Sequence, residues 1–421
     1  MTSETPATIA LVGAGVRGRL GYGDYCLRHP DRVQAVAVAE PDTERRERFA
    51  REHAIPVSRR FAGWAELLAS DRLAEAVIVA TPDQVHAEPA IRALELGYDV
   101  LLEKPIAGTP EELGRLLAAA HASEGRLVVA HPLRHAPLFE AIARLVGGGR
   151  LGRVMTIDHV ENVGYLHFAH SYVRGNWRRT DLASPMILAK ACHDLDLIAW
   201  LVGSPWSRLA SFGSLAHFRR ENAPPGAPDR CIDGCPVQST CPFDSVAFYL
   251  RPTTPQAWVG AVTPDRTEES IVRALRTGPY GRCVYRSDND VADHQVTIID
   301  FTDGTTASLT VSAFTAEVTR TIRVMGTHGE LRGDLLAGEL EIRRFTPGAP
   351  GPAEIERISV AGDFHGGGDD RLMDAFVTRL QEGRRGARTS DLDAALEASV
   401  VGHVLAFAAE ESRLTGAVVR K

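Results

Sequence analysis

Thr8-Ile9-Ala10-Leu11-Val12 runs directly into Gly13-Ala14-Gly15-Val16-Arg17-Gly18, an apolar strand pattern that breaks on three spaced glycines before a helical stretch. The first glycine permits a tight turn, the second lets backbone approach a pyrophosphate, and the third lets the following helix pack close. The N-terminal amides of that helix then face phosphate oxygens. Glycines fall at this spacing in ordinary turns too, so the context decides. A second apolar run, Val33 to Ala39, ends at Glu40 and is followed by Pro41-Asp42. A carboxylate there suits a ribose 2′-hydroxyl and repels a 2′-phosphate, which favours NAD over NADP, with Arg45 and Arg46 close enough to soften the preference. Gly13, Gly15, Val16, Arg17, Gly18 and Glu40 are therefore cofactor-binding candidates.

Strand-like and helix-like segments alternate from there: Ala76 to Ala80, a helix from Gln84 to Leu96, Val100 to Leu102, a helix from Pro110 to Ala122, and Leu127 to Ala130. That is the pattern of a doubly wound parallel sheet. After about His131 longer alternating runs appear, among them Val154 to Val160, Val296 to Phe301 and Ala307 to Val311. They predict a large, mostly antiparallel open sheet with one face solvated or covered by helices. The expectation is an α/β chain with a Rossmann domain over 1–131 and a second α/β domain over 132–421. The second domain would carry a cysteine-containing insertion at about 219–245 and C-terminal helices over 371–413, broken at Gly383-Arg384-Arg385-Gly386.

The chain has 421 residues, more than one core usually organises, with 44% hydrophobic and 24% charged residues and a net charge of −7. Nothing in that balance recruits nucleic acid or an anionic membrane surface. Met1 to Pro6 has neither the basic region nor the apolar core of a signal peptide, and no apolar run reaches membrane-spanning length, so a cytoplasmic protein is expected.

Glu103-Lys104-Pro105 stands at the end of the fifth predicted strand, where open α/β sheets form their ligand crevice. A partly desolvated lysine at that edge can exchange a proton with a substrate hydroxyl. Together, Gly13-x-Gly15-x-Arg17-Gly18, Glu40, Ala80-Thr81-Pro82-Asp83-Gln84-Val85-His86 and Glu103-Lys104-Pro105 resemble the Gfo/Idh/MocA oxidoreductase family over the whole chain. The resemblance implies hydride transfer between NAD(P) and a carbon of a sugar, polyol or related compound. It also implies that Lys104 meets substrate, that Thr81 and Pro82 line the cofactor with His86 nearby, and that Glu103 belongs to the same motif.

Ala189-Lys190-Ala191-Cys192-His193-Asp194-Leu195-Asp196 is similar to the family helix that carries an active-site histidine, which points to His193. Many relatives have an aspartate where Ala189 stands, one helical turn from the histidine, and here that partner is missing. Lys190 and Asp194, four apart, are candidate substrate residues or a simple helix salt bridge. Glu161 to Arg178 is dense in donors and aromatics of the kind that bind sugars, and His167, His170, Arg174 and Trp177 are its candidates. The alternative is a polar connection over the sheet. Arg134 and His135 resemble the family's segment at the domain junction, with Arg134 expected to touch substrate. His294 and His365 are further candidates, and Asp369 reads as a helix cap.

Cys231, Cys235 and Cys241 fall within eleven residues, a knuckle suited to a structural zinc with Cys283 as fourth ligand. A disulfide or free thiols are the alternatives. The mechanism expected has NAD across the sheet edge and a sugar hydroxyl held by Lys104 and His193. Two other readings stand beside it: a redox-neutral glycosidase or lyase that retains NAD and acts through a keto-sugar, and a non-catalytic NAD-binding sensor. An open sheet face of this kind predicts a homodimer or homotetramer.

Overall fold

The computed structural model describes residues 5–360, 365–384 and 391–421. Met1 to Glu4 and the Arg385-Gly386 part of the expected helix break lie outside them. The six-stranded sheet contains β1 (Ala7–Val12), β2 (Val33–Ala39), β3 (Arg60–Phe61), β4 (Ala76–Val79), β5 (Asp99–Leu102) and β6 (Leu127–Val129), in the order β3-β2-β1-β4-β5-β6. Every pairing in it is parallel. The order reverses between β1 and β4, and a crevice opens at such a reversal beyond the carboxyl ends of the strands.

Nine strands form the second sheet: β7 (Val154–Asn162), β8 (Trp206–Ser214), β9 (His294–Phe301), β10 (Thr306–Ser312), β11 (Thr319–Gly326), β12 (Gly329–Asp334), β13 (Glu339–Thr346), β14 (Ala349–Arg357) and β15 (Val419–Arg420). Their order is β14-β13-β12-β11-β7-β10-β9-β8-β15. Only β7 and β10 pair in parallel; the other neighbours are antiparallel. Alternation sorts the two faces. In β9, Ile299 and Phe301 are buried while Val296 and Ile298 face outward.

The buried face packs on the helix Met186–Val202, whose apolar side chains join Ile157, Leu309, Ile322 and Val324 in one core. The C-terminal helices tie the halves together. Leu372, Met373, Phe376 and Val377 of the helix Gly368–Arg384 pack against Ile9, Leu11 and Val38 of the first sheet. The helix Asp391–Thr415 gives Val400 to the first sheet's other core and Leu405 and Ala409 to the second domain's core. The excursion between β8 and β9 runs over 215–293, well past the expected 245, and holds the helices Ser245–Leu250, Gln256–Val262 and Glu268–Thr277.

The glycine turn shows why the glycines are needed. Gly13 has φ of +94°, and a Cβ there would meet the Ala80 carbonyl oxygen at 2.5 Å. A Cβ on Gly18 would stand 2.0 Å from the Gly13 carbonyl oxygen, whereas one on Gly15 meets nothing within 4 Å. Gly18→Ala is therefore expected to destabilise the protein by about 1–3 kcal/mol in denaturant unfolding. Gly15→Ala should keep the midpoint and lose dinucleotide affinity in calorimetric titration. Equal behaviour of the two variants would refute this division of roles.

Candidate active site

The switch crevice is lined by three turns that the structure links together. Glu103, at the end of β5, accepts hydrogen bonds from Arg17 of the glycine turn and from the Tyr22 hydroxyl. Arg17 also pairs with Asp369 at 2.6 Å, and Asp369 accepts from His365. Burial pushes the Glu103 carboxyl up, but Arg17 and Tyr22 overcome it and hold the group below its ordinary range. His86 is buried with Nδ1 2.6 Å from the Pro105 carbonyl and Nε2 2.8 Å from the Thr81 carbonyl, so it staples two turns together. Thr81 donates to the Val85 carbonyl. Glu40 accepts the Ala14 amide at 2.8 Å and the Asp42 amide at 3.0 Å, which places its carboxylate at the mouth of the glycine turn. Arg46 folds back onto the Glu40 carbonyl.

The glycine turn fits a dinucleotide. Space stands open over Gly15 at the start of the following helix, and the Glu40 carboxylate directly follows β2, where a ribose diol would sit.

Lys104 donates to the Ala189 carbonyl at 2.6 Å, bringing the crevice lysine against the helix that carries His193. That helix does not hold the Lys190–Asp194 salt bridge allowed above. Lys190 instead pairs with Glu161 of β7 at 3.1 Å, and Asp194 accepts from Arg320 of β11 at 2.8 Å and from His159 at 2.8 Å. Both helix groups are buried, and helix and sheet meet closely enough for the sheet's charges to win over the i,i+4 neighbour. Arg320 also contacts Glu161 at 2.6 Å and donates to His193 Nε2 at 3.0 Å.

Nε2 of His193 thus accepts, which assigns the ring proton to Nδ1, a buried atom without a hydrogen-bond partner among the described residues. Burial, with Lys104 and Arg320 adding to it, holds the His193 imidazole neutral, well below its usual range. Burial likewise lowers Lys190, against the pull of Glu161. Lys104, Lys190 and His193 form one interacting group, and Lys190 is also close enough to act on His167.

His167 stacks on Trp258 of the excursion at 5.1 Å, and His170 stacks on Trp258 and Tyr280 at 5.4 and 4.9 Å. His167 Nδ1 is buried without a partner among the described residues. Trp177 donates to the Asp83 carboxylate at 3.1 Å, and Ser184 donates to it at 2.9 Å, closing this segment over the Thr81-Pro82 turn.

Two arginine candidates do not join the group. Arg134 makes a two-pronged contact with Asp196 at 2.6 and 2.7 Å. Arg174 is buried and donates to the carbonyls of Arg282 and Phe243, anchoring the excursion. His294 lies at the start of β9 against Asp293. The sequence reading missed Arg320 and gave no role to Glu161, His159, Tyr22 or Trp258. A signal was present for three of them. His159 and Glu161 share the inward phase of β7 with Ile157, and Arg320 shares that of β11 with Ile322.

Cys231, Cys235, Cys241 and Cys283 do line a single cavity of about 20 Å³, but all the cysteines are free. No group of three or more His, Cys, Asp or Glu side chains among the described residues is arranged to hold a metal ion, so the expected zinc site is not supported. The local chemistry explains this. The Arg174 guanidinium stands 3.6 Å from Cys231 Sγ and donates to it, a cation where a metal cation would have to sit.

Two family models cover most of the chain: "Oxidoreductase family, NAD-binding Rossmann fold" matches residues 7–131, and "Oxidoreductase family, C-terminal alpha/beta domain" matches 143–416. The chain belongs to the Gfo/Idh/MocA oxidoreductase family. It is 24% identical over 310 residues to putative oxidoreductase YteT of Bacillus subtilis, covering 71% of each chain. It is 31% identical over 238 residues to inositol 2-dehydrogenase 4 of Saccharopolyspora erythraea, covering 54% of this chain and 62% of that one. Levoglucosan dehydrogenase, solved with NADH and levoglucosan, shares the fold with a TM-score of 0.70 at 18% identity, over 99% of both chains.

Burial also makes stability depend on pH. It depresses His53 and His135 to about 4 and His170 to about 3. Below about pH 6.5 the unfolded chain binds protons that the native state refuses, so stability is complete above that pH and falls as pH drops toward 4. Each such histidine contributes a slope of up to about 1.4 kcal/mol per pH unit. Urea unfolding between pH 7.5 and 4.5 should show this decline, and His170→Phe should reduce the slope by about one proton. A flat profile would contradict the burial of these rings.

Proposed function

We propose that the protein is an NAD-dependent dehydrogenase that transfers hydride between nicotinamide and a hydroxyl-bearing carbon of a sugar or polyol. The observation that carries this reading is the meeting of Lys104, from the crevice edge of β5, with the His193 helix, where Lys190 and His193 are buried beside it. When bound at the glycine turn, NAD supplies the hydride acceptor. Gly13 to Gly18 and Glu40 would hold it, and the Glu40 carboxylate favours NAD over NADP by repelling a 2′-phosphate.

In oxidation the substrate C–H bond breaks with its electron pair and the hydroxyl proton leaves, so the carbon becomes a carbonyl. Of the two groups Lys104, in its amine form, would take the proton and become the ammonium, because a neutral His193 whose Nε2 accepts from Arg320 has an N–H to offer on Nδ1 and no free lone pair. His193 therefore hydrogen-bonds a substrate oxygen, with Lys190 and His167 as further contacts. Relatives that carry sugar or polyol names, including the inositol and levoglucosan dehydrogenases, support the substrate class.

Lys104→Met should lower kcat by about a hundredfold or more while leaving NAD affinity within a few-fold, since general acid–base groups contribute about 10²–10⁴. Stopped-flow absorbance of NADH with a panel of sugars and polyols checks this. Turnover unaffected by Lys104→Met would sink the mechanism, and NAD binding without turnover across the whole panel would favour an NAD-binding sensor. Turnover without net NADH, with one nucleotide released per chain on denaturation, would favour a redox-neutral enzyme.

The outer face of the nine-stranded sheet supports a homo-oligomer. Phe212 and Val296 are cross-strand partners, and with Ile298 they are 66%, 38% and 54% exposed. Phe212→Lys combined with Ile298→Lys should convert a dimer or tetramer to monomer in light scattering; a wild-type monomer would refute this assembly. The free cysteines suit a reducing, cytoplasmic setting. No described helix is long and apolar enough to cross a membrane.

A further inference from the structure

The excursion 215–293 carries an open pocket of about 410 Å³, apart from the crevice, whose lining includes Arg220, Arg230, Arg282, Arg286 and Asp229. Four guanidinium groups around one hollow are unusual on a chain whose net charge is −7. The carboxylates nearby do not balance them. Asp288 already answers Arg178, Arg179 and Arg282. Asp229 is 81% exposed and stands 3.5 Å from Arg286 Nη1, too far for a strong hydrogen bond.

Arg230 donates to the carbonyls of Leu275, Thr277 and Gly278, which fixes its guanidinium rigidly but leaves its charge without a carboxylate partner. Arg220 has no side-chain hydrogen bond or ion pair among those of the described residues. Arg286 Nε is buried with no hydrogen-bond partner, a donor whose hydration has been given up without replacement.

We propose that this pocket binds a tetrahedral oxyanion, a sulfate or phosphate group either free or borne on a saccharide. Guanidinium forks present paired N–H donors at the spacing of such oxygens, and Arg220, with no side-chain partner among the described residues, can turn its fork to the anion. Arg230, held by three carbonyls, supplies a positive charge that needs no ordering on binding. The site does not depend on the dehydrogenase reading, because none of these side chains belongs to the group around Lys104.

The test is isothermal titration of the full chain with sodium sulfate, at an ionic strength matched with sodium chloride. Saturable binding is expected, weakened at least tenfold by Arg220→Gln combined with Arg286→Gln, with NAD affinity and any measured turnover unchanged. Arg220→Gln alone alters an exposed side chain and should weaken binding severalfold without affecting the fold. Titration with glucose 6-sulfate and with glucose separates the two sources: tighter binding of the ester than of inorganic sulfate assigns a saccharide-borne anion, and equal binding assigns the free ion. Heats no larger than the chloride control, or sulfate binding that both variants retain, would overturn the proposal.

Discussion

Arg320 is the interaction on which the site depends. It is buried between Glu161 and Asp194 and also reaches His193. Removing such charges from water is costly, and the cost is offset only while every partner stays in place. Arg320 sits opposite Glu161 in the β11–β7 register, and Asp194 comes from the helix above. One cation therefore fixes how that helix lies on the sheet. The position of His193 and the reach of Lys104 to the Ala189 carbonyl both follow from that placement.

This geometry gives meaning to Ala189. No carboxylate stands at this helical position, and what position 189 contributes is its backbone oxygen. Charge near His193 comes instead from Asp194, 3.4 Å from Nε2, and through Arg320 from Glu161. Neither carboxylate relays a proton through the ring, because Arg320 stands at Nε2. The imidazole is held with its Nδ1 proton as a fixed donor, which in the proposed mechanism leaves proton exchange to the lysine.

Periodicity made the architecture readable. Alternating helix and strand signals predicted the parallel sheet, and period-two runs predicted the antiparallel one, because burying a face imposes those periods wherever the chain lies. Lys104 and His193 were singled out by local motifs, and the structure brings Lys104 onto the helix that carries His193. Arg320 was not, because it lies far along the chain from His193 and only the β11–β7 pairing brings the two together. Its sole local trace is a charge on the inward phase of an apolar strand, shared by His159 and Glu161. The cysteine spacing was legible as proximity but not as chemistry. Arg174, remote in sequence from the knuckle, reaches Cys231, and no spacing rule reveals a guanidinium among thiols.

The excursion reaches toward both halves of the crevice. Trp258 stacks against His167, which Lys190 influences, while Tyr280 stacks against His170 and lies close enough to Arg45, on the helix after Glu40, for that charge to act on its hydroxyl. Stacked rings resist sliding and keep their planes, so the row holds His167 and His170 in fixed orientations. Lys104 and His193 are instead set by contacts with the helix and the sheet. Separate parts of the chain thus hold the side chains of the candidate site, and changes within 215–293 would move the rings that fix His167 and His170 while leaving in place the charges that hold His193.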